Sequence, residues 1–144
     1  MPLDGGLSSG VTNTLTFVDQ NGNVNVTGIE SFTTKEDAPT ERFIQMNGEV
    51  SNPQFPHGWS GSFMIGRKGN FMDNYIAAKE SDYYANGNQI TMTITQTIKE
   101  SDGSISQYQY LGVVITLDSA GDWTGTSIVK QSVSFVASRR IRIA

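Results

Sequence analysis

Polar and apolar residues alternate with a period of two along most of the chain, which is the pattern of strands with one dry and one wet face. Val11, Asn13, Leu15 and Phe17 alternate with Thr12, Thr14 and Thr16. Asn21-Gly22 then supplies a type I′ turn, and Val24 and Val26 begin a return strand, expected to run past a bulge at Gly28 towards Phe32 and Thr34. Lys35-Glu36-Asp37-Ala38-Pro39 reads as a charged loop, ended by a proline that cannot donate to a ladder. A strand is expected from Glu41 to Val50, a surface loop around Pro53 and Pro56, and another strand from Trp59 to Ile65. In the second half Ile90, Met92, Ile94, Gln96 and Ile98 alternate with Thr91, Thr93, Thr95 and Thr97. Asp102-Gly103 predicts a second type I′ turn, with a return strand from Ile105 to Leu117. A loop from Asp118 to Gly125 leads to a last strand from Thr126 to Ala137, with Val129, Val133 and Phe135 on its apolar face.

One segment, Asn70 to Asn86, has the helical period instead. Met72, Tyr75, Ile76, Lys79 and Tyr83 fall on a single stripe. Asn70 suits the N-cap, Asp73 faces the positive end of the helix dipole, and Asn86-Gly87 suits a left-handed stop. The elements add up to one mainly-β domain over residues 1–144, with the Gly- and Ser-rich residues 1–10 as an extended N-terminal arm.

Composition agrees with this and narrows the chemistry. Hydrophobic residues make up 37% and charged residues 17%, both below the globular average, and 15 glycines with many Ser, Thr, Asn and Gln fill the difference. Cysteine is absent, so disulfides, thiolate metal sites and thiol nucleophiles are excluded. The N-terminus has neither the basic nor the apolar region of a secretory signal, and no apolar run approaches a membrane span, so a soluble chain made in the cytoplasm is expected. The net charge of −4 contains three arginines crowded at the end, Arg139, Arg140 and Arg142. The body without them is more acidic still, which argues against tight nucleic-acid binding.

Candidate catalytic groups are scarce. The single histidine, His57, stands in a Pro/Gly loop with no second histidine or cysteine spaced to join it. Asp118-Ser119-Ala120-Gly121-Asp122 lacks the spacing and the closing Glu of a calcium loop and reads as a turn. Gly66-Arg67-Lys68-Gly69 precedes the helix but lacks the phosphate-loop spacing, and no serine sits in a G-x-S-x-G elbow. The expectation is a protein without catalysis, cofactor or metal.

The Thr91, Thr93, Thr95 and Thr97 row is the more informative feature. Threonine favours strands, so a solvated sheet face accounts for it. Exposed faces ordinarily carry Lys and Glu as well, which discourage stray edge pairing, and a long neutral face suits an enclosed, water-filled wall. Both readings stand on these residues alone.

His57-Gly58-Trp59-Ser60-Gly61-Ser62-Phe63 is similar to the G-W-S-G-type strand that precedes the helix in bacteriophage tail tube proteins. The Asn70–Asn86 helix follows in the same order. After it come the long hairpin through Asp102-Gly103, with Tyr108-Gln109-Tyr110-Leu111-Gly112-Val113, and the closing Lys130-Gln131-Ser132-Val133-Ser134-Phe135-Val136-Ala137-Ser138. From about Val11 onward the chain thus resembles the tail tube family, whose relatives include the tubes of contractile injection systems and tailocins. The resemblance implies a small β-sandwich or barrel with one flanking α-helix. It also implies hexameric rings, with strands of neighbours joined around a lumen, stacked into a tube that conducts DNA during ejection. It further implies a place in a virion tail, assembled in the host cytoplasm, with tail sheath, baseplate and tape-measure proteins as partners and no membrane. On that view Thr91, Thr93, Thr95 and Thr97 line the lumen and offer DNA no row of cations to hold it. Lys35, Glu36 and Asp37 touch the next subunit or ring, and Arg139, Arg140 and Arg142 either pair with acidic neighbours or form a solvated terminus. The alternatives are a tailocin or secretion tube, or a ligand-binding β-barrel of lipocalin type, which needs a closed apolar cup.

Overall fold

The computed structural model describes residues 13–19, 22–24 and 28–144. The expected arm at residues 1–10, Val11 and Thr12, and also Asn21 and Val26 of the first turn and return strand, lie outside the described residues. The described strands are β1 (Asn13–Asp19), β2 (Gly22–Val24), β3 (Ile29–Glu36), β4 (Phe43–Ile44), β5 (Val50–Ser51), β6 (Trp59–Gly66), β7 (Met92–Lys99), β8 (Ile105–Ser119), β9 (Lys130–Ala137) and β10 (Arg139–Arg142). A single helix, α1 (Phe71–Asn86), connects β6 to β7. The fold is mainly β with one helix, as the sequence pattern leads one to expect.

All pairings are antiparallel, in the order β2-β1-β7-β8-β9-β6-β3, with β10 also on β8. Strand β8 serves two half-sheets. Its first part pairs with β7 and β10, and its second part, from Val114, pairs with β9. The halves fold face to face because each presents an apolar row. Phe17, Met92, Ile94, Tyr110 and Val113 from one side meet Phe63, Ile65, Ile115, Val133, Phe135 and Ala137 from the other, all buried. Rings bridge the gap, with Phe17 and Phe63 centroids 5.4 Å apart, Trp59 and Tyr110 6.2 Å, and Tyr110 and Phe135 5.9 Å. Each such side chain removed from water is worth about 1.5–3 kcal/mol.

Gly112 lets one strand belong to both halves. Its φ of +63° belongs to the left-handed region, and the β7 register shifts beside it, Met92 facing Val113 while Ile94 faces Tyr110. The extra residue on β8 bends and twists the strand. Ser138, between β9 and β10, lies at the same corner, and a Cβ on Gly112 would come within 2.6 Å of its Oγ.

Helix α1 forms as the stripe indicates. Met72 is buried, Tyr75 and Ile76 pack against the core, and Lys79 Nζ donates to the Ile115 carbonyl at 2.6 Å. Gly87 stops the helix at φ +70°, its N–H donating to the Tyr83 carbonyl at 2.7 Å. Asn70 occupies the N-cap without a side-chain bond. Asp73 accepts from Arg67 Nη2 and from Gln131 Nε2, both at 2.9 Å, and so ties the helix start to β9. Tyr83 ends the stripe in solvent, 58% exposed.

Five expectations are corrected. The chain from Gly22 to Thr34 is not one return strand, because β2 stays on β1 whereas β3 pairs with β6 in the other half. The bulge expected at Gly28 falls between Ile29 and Ser31. The strand from Glu41 to Val50 is reduced to β4 and β5, two residues each, closed through Gly48 at φ +88°. The Asp102-Gly103 turn is not type I′, which needs positive φ at both central residues. Only Gly103 has it, and the loop runs from Glu100 to Ser104, fastened by the Ser104 N–H and hydroxyl on the Asp102 carboxylate. Those two hydrogen bonds hold the Asp102 pKa below its usual value. The last strand begins at Lys130 instead of Thr126.

Two outcomes follow. Gly112→Ala adds left-handed strain and a contact with Ser138, and should lower stability by about 1–3 kcal/mol in denaturant melts. Ser138→Gly in that background should return part of the loss, since it relieves the contact but not the φ strain. Tyr75 has its pKa pushed up from 10.0 to about 12, first by burial and then by the charge of Asp19. The unfolded chain therefore ionises Tyr75 before the folded chain does, and stability held below pH 10 should decline from there to about pH 12. Tyr75→Phe should flatten that part of a melting-temperature profile.

Candidate assembly surfaces

The cross-strand register sets which polar residues share a face, because directly opposite residues point the same way. On the half built from β1, β7 and β8, Thr97 stands between Thr14 and Gln107, and Thr95 between Thr16 and Gln109. Gln107 Nε2 donates to Thr97 Oγ1 at 3.2 Å. Thr93, Thr95 and Thr97 are thus central to an outer face of hydroxyls and amides, with the cations Lys99 and Arg139 at its borders. Thr91 is not part of the ladder, since β7 begins at Met92, and it is exposed.

The second half carries a similar face that the strand-by-strand pattern did not single out. Thr33, Ser62, Ser134 and Thr116 stand opposite one another across β3, β6, β9 and β8, and Lys35, Ser60, Val136 and Val114 form the next row. All of these positions except Val114 line a shallow concavity of about 420 Å³. The alternation of Ser60 and Ser62, and of Ser132 and Ser134, was visible in the sequence. That they share one surface depends on the pairing of strands far apart in the chain. Its charges are Lys35 on β3, Asp118 on β8, which accepts from Ser134 Oγ at 3.1 Å, and at one end the Lys130–Glu30 ion pair at 3.1 Å.

Both outer strands of this half end in open backbone among the described residues. β3 pairs only with β6, and residues 114–119 of β8 pair only with β9. The Lys79 ammonium on the Ile115 carbonyl is a side-chain contact at this open edge.

Lys35 and Glu36 close β3, opposite Ser60 and Trp59. Asp37 begins the next loop: its N–H donates to the Gly58 carbonyl at 2.9 Å, and its carbonyl accepts from the His57 N–H at 2.7 Å. From there residues 39–57 run exposed throughout as an arm around β4 and β5. Phe43 (58%), Ile44 (64%) and Met46 (108%) are among its exposed apolar side chains, joined by Val50 and Phe55. Single exposed apolars are ordinary, but a cluster on one projection marks a surface that is covered in use.

The C-terminal arginines do not form a loose tail. They lie in β10, which pairs with Tyr108 to Leu111 of β8. Arg140 turns inward, its guanidinium 3.8 Å from the Tyr108 ring centre and 4.7 Å from that of Trp59. Stacking on aromatic faces suits the planar cation, and its Nε is buried without an acceptor. Arg139 and Arg142 remain exposed. The three arginines therefore do not act as one charged patch. Among the described residues no three His, Cys, Asp or Glu side chains gather as metal ligands, and no helix is long and apolar enough to cross a membrane.

No family model and no curated protein matches the chain by sequence. Solved structures do match it in shape. A chain of the sheath–tube complex of an extracellular contractile injection system, PVC, in its extended state superposes with a TM-score of 0.66 at 13% identity, covering 90% of this chain and 88% of the other. The PVC sheath/tube terminator gives 0.66 at 14% identity over 90% and 93%. The tube-terminating cap of the anti-feeding prophage gives 0.62 at 14% over 90% and 87%. At such identities the likeness is one of fold, and it extends over nearly the whole chain: the protein has a tail-tube-like fold.

Proposed function

We propose that this chain is a structural subunit that closes into rings and stacks into the tube of a contractile tail or injection apparatus. The observation that carries this reading is the open backbone on two opposite strands of one domain whose fold is that of tube-complex proteins. Unpaired edges of this length invite pairing with another chain, and head-to-tail pairing around a closed ring satisfies every one of them. The role is structural and uses no catalytic group.

The Ser- and Thr-rich outer faces support a conduit. Each cation along a wall would add salt-dependent affinity for phosphates, so a passage for DNA works best without a row of them. Two faces meet that requirement, the one centred on Thr93, Thr95 and Thr97 and the one centred on Ser62 and Ser134. In a phage the tube conducts DNA during ejection, with six subunits per ring, a sheath outside, a baseplate below and a tape-measure protein within. The second reading, a tailocin or secretion tube, is favoured by the origin of the structural neighbours in extracellular injection systems.

The exposed arm after Lys35, Glu36 and Asp37 is suited to ring stacking, since its apolar side chains project away from the sandwich. Purified protein at high concentration should form rings and tubes in electron micrographs. A particle that stays monomeric at every salt concentration would sink the reading. Ile44→Asp with Met46→Asp should leave rings intact but shorten or abolish tubes; long tubes from this variant would remove the arm from the stacking contact.

A further inference from the structure

Resting on the ring reading above, the geometry points to which strands form the seam between subunits, and therefore to which face lines the lumen. We infer that β3 of one subunit pairs with residues 114–119 of β8 in the next, and that the Thr33–Ser62–Ser134–Thr116 face is the inner wall.

Three observations carry this. The first is edge length. Among the described residues, β3 offers eight residues of open edge and β8 offers residues 114–119, whereas the other half-sheet ends in β2, three residues long, and β10, four. Short edges pair weakly and are a common way for a sheet to avoid partners; long ones seek them. The second is direction. Along the order β8-β9-β6-β3 every neighbour is antiparallel, so β3 runs opposite to β8. Setting β3 beside the β8 edge of a copy related by ring rotation continues the alternation without a break. The third is charge. Lys35 and Asp118 are opposite in sign and lie on the two outer strands, so both border the seam, Lys35 in the row of Val114 and Asp118 four residues further along β8, while Ser60, Ser62, Ser132 and Ser134 run along the middle strands.

Lys79 lies on this edge, and an incoming strand must share or displace its contact. Its ammonium bonds the Ile115 carbonyl at 2.6 Å, and the cleft beside it, about 340 Å³ and lined by Tyr83, Tyr84 and Val114, follows this edge. With six subunits of four strands each, a spacing near 4.8 Å and a tilt near 40° give a barrel roughly 45–50 Å across at the backbone. The Thr93 face then looks outward, away from the cargo.

The absence of native cysteine makes the test direct. Thr33→Cys combined in turn with Val114→Cys, Thr116→Cys or Asp118→Cys should, on oxidation, give a covalent ladder ending at one closed oligomer for at least one pair. In assembled tubes, a maleimide carried on a long polyethylene glycol should react with Ser62→Cys at least an order of magnitude more slowly than with Thr95→Cys, and equally fast once the tubes are dissociated. If rings form but no pair gives a ladder, or if Ser62→Cys is labelled as fast as Thr95→Cys, the seam and lumen assignment is overturned while the ring reading stands. If no rings form under any condition, both fall.

Discussion

A β-sheet that folds back on itself must bend a strand without abandoning its backbone hydrogen bonds, and in this protein that demand falls on β8. The strand is fifteen residues long, pairs with β7 and β10 before the corner and with β9 after it, and turns at Gly112 in a conformation that disfavours a side chain. The buried aromatic cluster is possible because this corner brings the two apolar faces together. Tyr110, just before the bend, touches Phe32, Trp59 and Phe135 from the opposite half. Ser138 takes the same corner on the neighbouring strand, so β10 continues on β8 and carries Arg140 over the open end of the core.

The same bend accounts for the edges. Because the second part of β8 leaves β7 behind, its far side has no strand beside it, and β3 at the other margin is equally open. The two open edges run in opposite directions, which is the relation that the proposed head-to-tail pairing uses. The middle of the surface between them carries Ser and Thr, with Lys35 and Asp118 on the outer strands and the Lys130–Glu30 ion pair at one end.

The helix and the arm complete the division of labour. α1 is anchored by Met72, Tyr75, Asp73 and Lys79, each contacting a different part of the sandwich, which leaves Tyr83 and Tyr84 outward. The arm has no such anchoring and keeps its apolar residues in solvent. A rigid wall and a projecting contact are what the proposed ring closure and stacking would use.

Period-two alternation and turn residues determined by themselves that the chain is mainly β, and the helical stripe with Gly87 located α1 to within a residue, because these signals are local and each element buries one face of its own. Local signals also placed β6 and most of β7 and β8. They failed from Glu41 to Val50, where alternating Phe43, Gln45 and Asn47 have no sheet to join, and between Gly22 and Thr34, where one apparent strand divides between two half-sheets. The threonine row was legible from β7 alone, since its alternation lies within one strand. The matching row of Thr33, Ser62, Ser134 and Thr116 was not, because its members are separated by up to a hundred residues of chain, and only long-range pairing around the Gly112 corner sets them side by side.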